Sequence, residues 1–425
     1  MKFPVVSILV ASLLLLSAPG IRAQSNSAGS PTSLSDLLTE AEKNNSQIRA
    51  AHHGWQSAKQ VPTQVATRPD PQVVLQQMNV GSPRPFAGYT NSDFAYLGVG
   101  VSQDLPYPGK LRLKGEIAQK EADATEQKYE SIRRAVMAGV KMSYFQLGYL
   151  AKRTNILDDD ARLLEQVEQA AESRYRNGMG NQQDVLQAQL ERTKLLREIN
   201  RNQLEQGKMQ AALKNLLNRS QSSPDIETTE LSESTPAHNF DQLLTEAKTS
   251  NPDLAGMQKM VERQGLQVDL AKKDFYPDFN VQGIWQRTDP TQFRAYYQFT
   301  VGMRIPIYRN RRQRPELAQA ESDRDRAKSD LDAQSQQTAL QLRQQFIGAE
   351  KSAELLKIYR EGLIPQARAA LQAGMAAYQS NRQDFQALLA SFLDVLKLDE
   401  EYWQTLSEHE TALAQMEEIT GATLR

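Results

Sequence analysis

The sequence predicts a mainly α-helical protein that contains a smaller β portion and is built from two copies of one unit. Three observations support this fold class. The pentapeptide Leu-Leu-Thr-Glu-Ala occurs twice, at residues 37–41 and 243–247. Long stretches without proline carry apolar residues at three- and four-residue spacing, which is typical of helices. Shorter segments alternate apolar and polar residues, which is typical of strands.

The first 23 residues have the features of a secretory signal peptide. Lys2 provides a positive start, residues 5–16 are almost entirely apolar, and Ala23 is the expected cleavage position. A membrane anchor is the alternative, but the apolar run is shorter than the ~20 residues that a spanning helix needs. The sequence therefore predicts an exported chain with no later transmembrane helix.

Composition excludes several classes of protein. Charged residues make up 24% of the 425 residues and aromatic residues 7%, which is polar for a single compact core of this length. The 50 basic side chains balance 51 acidic ones, unlike the basic excess of a nucleic-acid-binding protein. Because the chain has no cysteine, disulfides, thiolate metal sites and thiol nucleophiles are excluded. Several small domains or an elongated shape would explain so polar a chain.

The repeat defines the expected organisation. Pro71 corresponds to Pro277 at an offset of 206 residues, and later matches fall at an offset of 200, so one connection is shorter in the second copy. The expected units are a first repeat at 24–220, a linker at 221–238, a second repeat at 239–421 and a tail at 422–425. Each repeat is expected to contain a helix, two strands and two much longer helices.

Proline and glycine placement predicts the long helices. No proline lies between Pro108 and Pro224, and the strongest break in that stretch is Asn-Gly-Met-Gly at 177–180, which predicts a turn between two helices. As a helix, the segment from 110 to 177 would be about 100 Å long. The second repeat has the same pattern, with a break near 380–381 and an internal Pro365 that predicts a kink.

Four short segments are predicted as strands, at 73–80, 94–105, 279–287 and 294–305. In the last segment the odd-numbered residues from Tyr297 to Ile305 are apolar, and the even-numbered ones are mostly polar. A soluble hairpin with one face on a core would show this pattern, and so would the wall of a membrane β-barrel. Since the smallest membrane barrels have ~8 strands, a barrel made from these strands would need several chains.

Four motifs stand out in this duplicated chain. They are the Leu-Leu-Thr-Glu-Ala openings, Tyr-Pro-Asp at 276–278, Gln-Asp-Leu-Pro-Tyr-Pro-Gly-Lys at 103–110, and the pattern Arg174-Tyr175-x-x-Gly178-x5-Asp184 with its counterpart at 364–385. Together they resemble the TolC family of outer-membrane efflux channels over nearly the whole mature chain. The Leu-Pro-x-x-Gly-Lys segment and the short length look most like the heavy-metal efflux branch, the CzcC- and CusC-like channels.

The resemblance implies a TolC-like protomer, in which four β-strands from each of three chains form one transmembrane barrel of twelve strands. Long coiled-coil helices would continue this barrel into the periplasm. A homotrimer of this kind is the exit duct of a tripartite system that passes metal cations or small toxic compounds outward. The implied partners are a periplasmic adaptor, an inner-membrane transporter of the RND type and outer-membrane lipid. Such a channel is not an enzyme and needs no cofactor or bound metal, and nucleic acid is not an expected partner.

The resemblance also places functional residues at the turns between the long helices, at the far periplasmic end. The implied adaptor contacts are Arg174, Tyr175 and Gly178, and the implied pore tip or gate comprises Asp384, Arg382, Asn381, Tyr378 and Asp184. A ring of three Asp384 side chains near the axis would form an acidic constriction that favours cations. Arg382 would hold the constriction shut through pairs between chains.

The two turns differ in spacing. Asn381 stands where the family usually has glycine, and Asp384 lies six residues after Tyr378, whereas Asp184 lies nine residues after Tyr175. The sequence therefore leaves open how the two aspartates align and whether Asp384 faces the pore.

Two further polar clusters are interpreted as solvent-exposed helix surfaces rather than as metal-binding sites. His52 and His53 are adjacent, so on a helix they point about 100° apart. Asp158-Asp159-Asp160 lies within a long helix, where a solvated face is expected. The alternative to a duct is a periplasmic structural or adaptor coiled coil with soluble hairpins. An apolar outer face on the strands distinguishes the duct from this alternative.

Overall fold

Two long helical hairpins and a four-stranded sheet dominate the computed structural model. It describes residues 32–78, 96–234, 239–287, 294–380 and 382–424. The predicted signal peptide at 1–23 lies outside the described residues, and so do position 381 and the ends at 80 and 94 of the first two predicted strands.

The first half of the chain places three short helices before its strands. Its elements are α1 (Leu34–Asn44), α2 (Ser46–Ala58), α3 (Val61–Ala66), β1 (Gln72–Met78), β2 (Tyr96–Leu105), α4 (Lys110–Arg176) and α5 (Gln182–Leu216). The sequence predicted one helix before the strands, but Asn45 interrupts it. The Asn45 side chain accepts hydrogen bonds from the backbone N–H groups of Gln47 at 2.8 Å and Ile48 at 3.1 Å, which starts α2.

The second half repeats this order with two differences. Its elements are α6 (Phe240–Ser250), α7 (Pro252–Lys273), β3 (Asp278–Arg287), β4 (Tyr296–Arg304), α8 (Gln313–Ile358), α9 (Ile364–Gln379) and α10 (Phe385–Thr420). The single helix α7 follows α6, and two helices, α8 and α9, stand in the place of α4. Asn251 is the counterpart of Asn45, and its side chain accepts a hydrogen bond from the backbone N–H of Leu254 at 3.1 Å. The break before the strands is therefore a shared feature of both repeats.

Pro365 lies at a deformation of the long helix, in the place where the sequence predicts a kink. Residues Tyr359–Leu363 form one π-helical turn between α8 and α9, immediately before Ile364 and Pro365. Proline has no N–H to donate to the preceding turn, and its ring crowds the carbonyl group four residues earlier. A wider turn relieves that crowding.

The strands form one antiparallel sheet in the order β1-β2-β3-β4. Opposed residues of an antiparallel pair share a face. The pairs Leu75–Val99, Val99–Trp285 and Trp285–Tyr297 therefore carry apolar side chains across all four strands on one face. The same face carries Val73, Val101, Val281, Phe299, Val301 and Met303. It is exposed in the protomer, since Leu75 is 76% and Tyr297 84% accessible.

The opposite face of the sheet is polar. The Asn280 amide donates hydrogen bonds to Ser102 Oγ at 3.0 Å and to Asp104 Oδ1 at 2.9 Å. Gln286 Nε2 donates to Gln298 Oε1 at 3.0 Å. Side chains on this face are thus linked across neighbouring strands by hydrogen bonds.

Glycine at position 100 of β2 permits close packing on this polar face. A Cβ atom there would lie 2.7 Å from the side chain of Ile284 and would also meet the carbonyl oxygen of Gly283. Ile284 is buried against the glycine. A larger residue at position 100 would therefore separate β2 from β3.

The long helix α4 connects the sheet with the far end of the molecule. It has 67 residues, which corresponds to about 100 Å. α4 packs against α5, α7 and α10. One core beside it includes Tyr144, Leu213 and Leu406, and a second, closer to the helix ends, includes Leu164 and Phe392. Across the described ranges, no helix has an apolar stretch long enough to cross a membrane.

Candidate functional site at the helix tips

Two interhelical turns meet at the end of α4 that is opposite to the sheet. One turn joins α4 to α5 and the other joins α9 to α10, and together they line a depression of about 660 Å³. Six of the eight residues predicted from the sequence line it, namely Arg174, Gly178, Asp184, Tyr378, Arg382 and Asp384. The structure thus brings together residues from two halves of the chain that lie about 200 positions apart.

Arg174 connects the two turns. Its guanidinium carbon lies 4.4 Å from the centroid of the Tyr378 ring, and Nη1 donates a hydrogen bond to the backbone carbonyl of Tyr378. Nη2 donates to the carbonyl of Met179 in its own turn at 3.1 Å. Arg174, which the sequence placed among the adaptor contacts, therefore also fastens the two hairpins within one protomer.

Tyr378 is a buried member of the tip. It is 2% exposed, and its ring packs edge-to-face on Phe385 with centroids 5.9 Å apart. Burial raises the pKa of Tyr378 above its ordinary value, although Arg174 acts to lower it, and the charge of Asp184 raises it further. Tyr378 is therefore neutral at physiological pH and contributes by packing within the protomer.

The backbone of the two turns aligns the repeats. In the first turn the N–H of Met179 donates to the carbonyl of Arg174 at 2.9 Å, and in the second the N–H of Arg382 donates to the carbonyl of Ala377 at 2.8 Å. Each bond spans five residues, as in a Schellman motif. Gly178 has φ +69°, the left-handed conformation that closes this motif. The two turns are thus structurally equivalent, with Met179 matching Arg382.

This alignment resolves the relation between the two aspartates. Asn181 and Asp384 each lie two residues beyond those donors, and they are the N-cap residues of α5 and α10. Asp184 lies in the first turn of α5, where its counterpart in α10 is Ala387. Asp384 Oδ1 accepts a hydrogen bond from the backbone N–H of Ala387 at 2.9 Å. The spacing difference seen in the sequence arises because Asp184 and Asp384 are not equivalent residues.

The remaining predicted residues differ in placement. Asp384 and Arg382 are both exposed, and in the described part of the chain the Arg382 side chain makes no ion pair. Tyr175 is 46% exposed and does not line the depression, although its carbonyl accepts a hydrogen bond from the N–H of Gly178 at 3.0 Å. Asn381 lies outside the described residues.

One contact at the tip was not predicted from the sequence. Gln187 in α5 and Gln386 in α10 exchange side-chain hydrogen bonds, with Gln187 Nε2 donating to Gln386 Oε1 at 3.3 Å and the reverse bond also formed. The two residues are 199 positions apart. Because both repeats are rich in glutamine on their wet helix faces, no pattern in the sequence marks this pair.

Asp160 is buried, which corrects the expectation that Asp158-Asp159-Asp160 forms a solvated face. Asp158 and Asp159 are exposed, but Asp160 is 8% exposed, and its Oδ2 has no hydrogen-bond partner among the described residues. Burial raises its pKa to about 7, and the charges of Asp399, Asp159 and Glu400 add to the shift. A carboxyl group is therefore enclosed where α4 meets α10.

Metal-binding geometry is absent from the ranges that the structure describes, since no three His, Asp or Glu side chains are arranged to hold an ion. His52 packs instead in an aromatic cluster, with its ring centroid 5.8 Å from that of Trp55 and 5.5 Å from that of Tyr129. Packing thus explains His52, and His53 is exposed beside it.

Comparison with protein families gives one match over most of the chain. Residues 37–219 and 243–417 match the family described as outer membrane efflux protein. No curated protein matches the sequence.

Solved structures with the same fold include outer-membrane channels. The outer-membrane channel OprN is 19% identical with a TM-score of 0.80, covering 92% of this chain and 90% of that chain. CusC is 17% identical with a TM-score of 0.78, covering 92% of each chain. The outer membrane protein VceC from Vibrio cholerae is 17% identical with a TM-score of 0.77, covering 92% of this chain and 97% of that chain. At these identities the likeness establishes the fold.

Proposed function

Because the chain belongs to the outer membrane efflux protein family and is located in the outer membrane, we propose that it is the exit duct of a tripartite efflux system. Members of this family are channels rather than enzymes, and the proposal involves no catalytic step. Substrates would enter from the periplasm or from an inner-membrane pump and leave to the exterior. The outer-membrane location also argues against the alternative of a soluble periplasmic coiled coil.

The observation that carries this proposal is the two-faced sheet. One face is mostly apolar and exposed, and the other is mostly polar and cross-linked by hydrogen bonds. A sheet with lipid on one side and water on the other needs this division. Within the described residues β1 and β4 are the edge strands, and an open edge is not tolerated in lipid. Three copies of four strands closing into a barrel of twelve would remove both edges, which supports a homotrimer.

The helical part would carry the conduit across the periplasm. α4 extends about 100 Å from the sheet, so the tips lie far from the membrane. A periplasmic adaptor would dock at the tips, with Tyr175 exposed and Gly178 in the turn, and an inner-membrane transporter of the RND type would supply the substrate. Arg174 would support this surface by holding the second hairpin through Tyr378.

The gate is proposed at the same tips. Asp384 is exposed at the start of α10, and three copies around the axis would concentrate negative charge and favour cations. Arg382 and Asp184 line the same depression, and with Asn381 they would supply polar contacts between protomers. Tyr378, being buried, would act by fixing the position of the turn.

The proposed substrates are metal cations or small toxic compounds. Resemblance of the segment from Leu105 to Lys110 to the heavy-metal branch favours cations, and an acidic tip would suit them. Lys110 is also structural here, since its ammonium lies 3.0 Å from both Asp274 and Asp278 where the sheet joins the helices. The duct would pass a cation without holding it tightly.

The proposal is tested with protein purified from the outer-membrane fraction. We expect a trimer that resists detergent and dissociates on heating, and that opens discrete conducting pores in planar lipid bilayers. A monomer recovered from the periplasm, or a trimer that never conducts under any applied voltage, would contradict the exit-duct function.

A further inference from the structure

A run of arginines follows the last strand. Residues 304–314 contain five arginines and no acidic residue, whereas the equivalent segment of the first repeat, 104–114, contains Asp104 with Lys110, Arg112 and Lys114. The two repeats therefore differ in charge at the point where a strand passes into a long helix. We refer to residues 305–314 as the arginine loop.

The arginine loop lies at the end of the sheet that continues into the helices. β4 ends at Arg304 and α8 begins at Gln313, so Arg309, Arg311 and Arg312 lie in the connection and Arg314 in the first turn of α8. Because the helices are periplasmic, this is the periplasmic end of the membrane-facing strands. The loop thus sits at the level of a lipid headgroup layer.

Apolar and aromatic side chains accompany the arginines. Ile305, Ile307 and Tyr308 are 52%, 72% and 68% exposed. Ile305 directly follows β4 and extends the apolar alternation of the strand by one residue, and Ile307 and Tyr308 lie in the turn that comes next. Tyr308 and Tyr276 line a second depression, which lies where the sheet joins the helices. The Tyr276 ring stacks on that of Tyr107 with centroids 4.5 Å apart. Tyrosine at the end of an apolar face is typical of a membrane–water interface.

Three of the four charges of the arginine loop have no carboxylate partner in the part of the chain that the structure describes. All four arginines are exposed, and only Arg312 has a carboxylate partner among the described residues, with its Nε donating to Glu316 at 3.2 Å. Arg309 Nε donates to the carbonyl of Pro306 at 3.3 Å. By contrast, Lys110 in the first repeat is 6% exposed and fully paired.

The position of these arginines is also unfavourable for α8. The N-terminus of a helix carries partial positive charge, so cations are disfavoured there. Arg312 is the N-cap residue of α8 and makes no side-chain cap bond, and Arg314 follows in the first turn. A bound anion would offset both the repulsion among the arginines and their repulsion from the helix N-terminus.

We propose that the arginine loop binds the phosphate headgroups of anionic phospholipids in the periplasmic leaflet of the outer membrane. Guanidinium groups bind phosphate through paired hydrogen bonds, and the neighbouring Ile307 and Tyr308 side chains would lie at the boundary with the acyl chains. Continuity with the apolar strand face favours a membrane lipid over a free anion or a protein partner. The proposal depends on the outer-membrane location and not on transport.

The test measures which lipids the intact trimer retains. Wild-type protein and the Arg309→Gln/Arg311→Gln/Arg314→Gln variant are reconstituted into vesicles of equal parts phosphatidylglycerol and phosphatidylcholine and extracted in mild non-ionic detergent. Retained headgroups per trimer are then quantified by mass spectrometry. We expect wild type to retain several-fold more phosphatidylglycerol than phosphatidylcholine, and the variant to lose most of this preference. High salt should weaken the wild-type preference.

Two further variants make the result decisive. Arg192→Gln/Arg197→Gln/Arg326→Gln removes three exposed arginines from the long helices and should keep the preference. Arg309→Lys/Arg311→Lys/Arg314→Lys keeps the charge and should retain part of it. Equal lipid retention by wild type and the loop variant would overturn the proposal. So would failure of both loop variants to form trimers, because the loop would then serve contact between protomers.

Discussion

At the scale of single residues, the tip and the buried carboxyl show that chemically alike side chains take different roles. Asp384 is exposed and caps a helix, whereas Asp160 is enclosed between helices. Charged groups face Asp160 from both sides. Asp399 of α10 is held by Arg368 of α9 at 2.8 Å, and Glu400 of α10 by Arg153 of α4 at 2.7 Å. These arginines neutralise the neighbours of Asp160 but leave its own carboxyl group without a cation.

Replacement of Asp384 separates its charge from its capping bond. Asp384→Asn keeps an oxygen acceptor for the N–H of Ala387 and removes the charge, whereas Asp384→Ala removes both. If three Asp384 side chains line the constriction, both variants should change single-channel conductance or reduce cation preference in planar bilayers. Asp158→Asn, at an exposed position of α4 away from the tip, is the control. Unchanged conductance and selectivity in both variants would exclude Asp384 from the pore.

Asp160 should make stability depend on pH. Its pKa is about 7 in the folded protein, above the value of about 4 in an unfolded chain. The protonated carboxyl group therefore contributes stability below about pH 4, and this contribution is lost as pH rises through 7. Asp160→Asn should stabilise the protein at pH 8 by about 2–4 kcal/mol per protomer and have little effect at pH 4. Thermal unfolding of the trimer at both pH values measures this.

Asp158→Asn serves as the matched control for the pH experiment, because Asp158 is exposed on the same helix. It should leave the pH dependence of unfolding as in wild type. Parallel pH profiles for wild type and Asp160→Asn would show that Asp160 does not titrate in this range.

At the scale of elements, two asparagines link the short helices to the long hairpins. Asn45 Nδ2 donates to the carbonyl of Leu216, the last residue of α5, at 2.7 Å. Asn251 Nδ2 donates to the carbonyl of Ile419, near the end of α10, at 3.0 Å. Both asparagines are nearly buried, 3% and 7% exposed. The side-chain oxygen of each asparagine accepts a hydrogen bond at the start of one helix. Its side-chain nitrogen donates to a carbonyl at the end of another helix.

Removing either asparagine side chain should loosen the contact between the short helices and the long hairpins. Asn45→Ala and Asn251→Ala each lose a helix cap and leave a carbonyl at a helix end with one fewer donor. We expect each to destabilise the protein by about 1–3 kcal/mol. Asn200→Ala, which removes an exposed bond to the carbonyl of Leu196, should cost much less. Denaturation midpoints of the three variants provide the comparison, and equal losses in all three would argue against the linking role.

At the scale of the whole molecule, one protomer by itself has an open sheet. Its sheet exposes an apolar face and ends in two edge strands, and the polarity of the chain reflects long helices that need only narrow apolar seams. An elongated shape, rather than several small domains, therefore explains the polar composition. Closure by further copies would place water inside and lipid outside.

The two faces of the sheet should respond differently to charge. Val301 lies on the apolar face and is 60% exposed in the protomer, and Thr300 is its neighbour on the polar face. Val301→Arg should destabilise the membrane-inserted protein by about 2–4 kcal/mol, because a cation would enter the hydrocarbon layer. Thr300→Arg should have a much smaller effect. Yield of heat-modifiable trimer in the outer-membrane fraction measures both, and equal yields would contradict a lipid-facing Val301.

Sequence patterns were sufficient for the architecture and for most of the tip. The repeat, the absence of proline and the apolar spacing predicted paired long helices, because a helix must present one apolar stripe along its whole length. Alternation predicted the strands with their polar and apolar faces, because successive side chains of a strand point to opposite faces. Glycine and asparagine marked the first turn, and resemblance identified six residues that meet in one depression, with Arg174 and Tyr378 in direct contact.

Contacts between residues that are distant in the chain could not be predicted from the sequence. Asn45 also binds a carbonyl 171 residues away, and Asp160 is buried because α10 covers it. The backbone of the two turns matches Asp384 with Asn181 rather than with Asp184, because both are N-cap residues. The spacing of apolar residues predicts which side of a helix or strand is exposed to water. It does not predict which distant element covers the apolar side, because packing between elements determines those contacts.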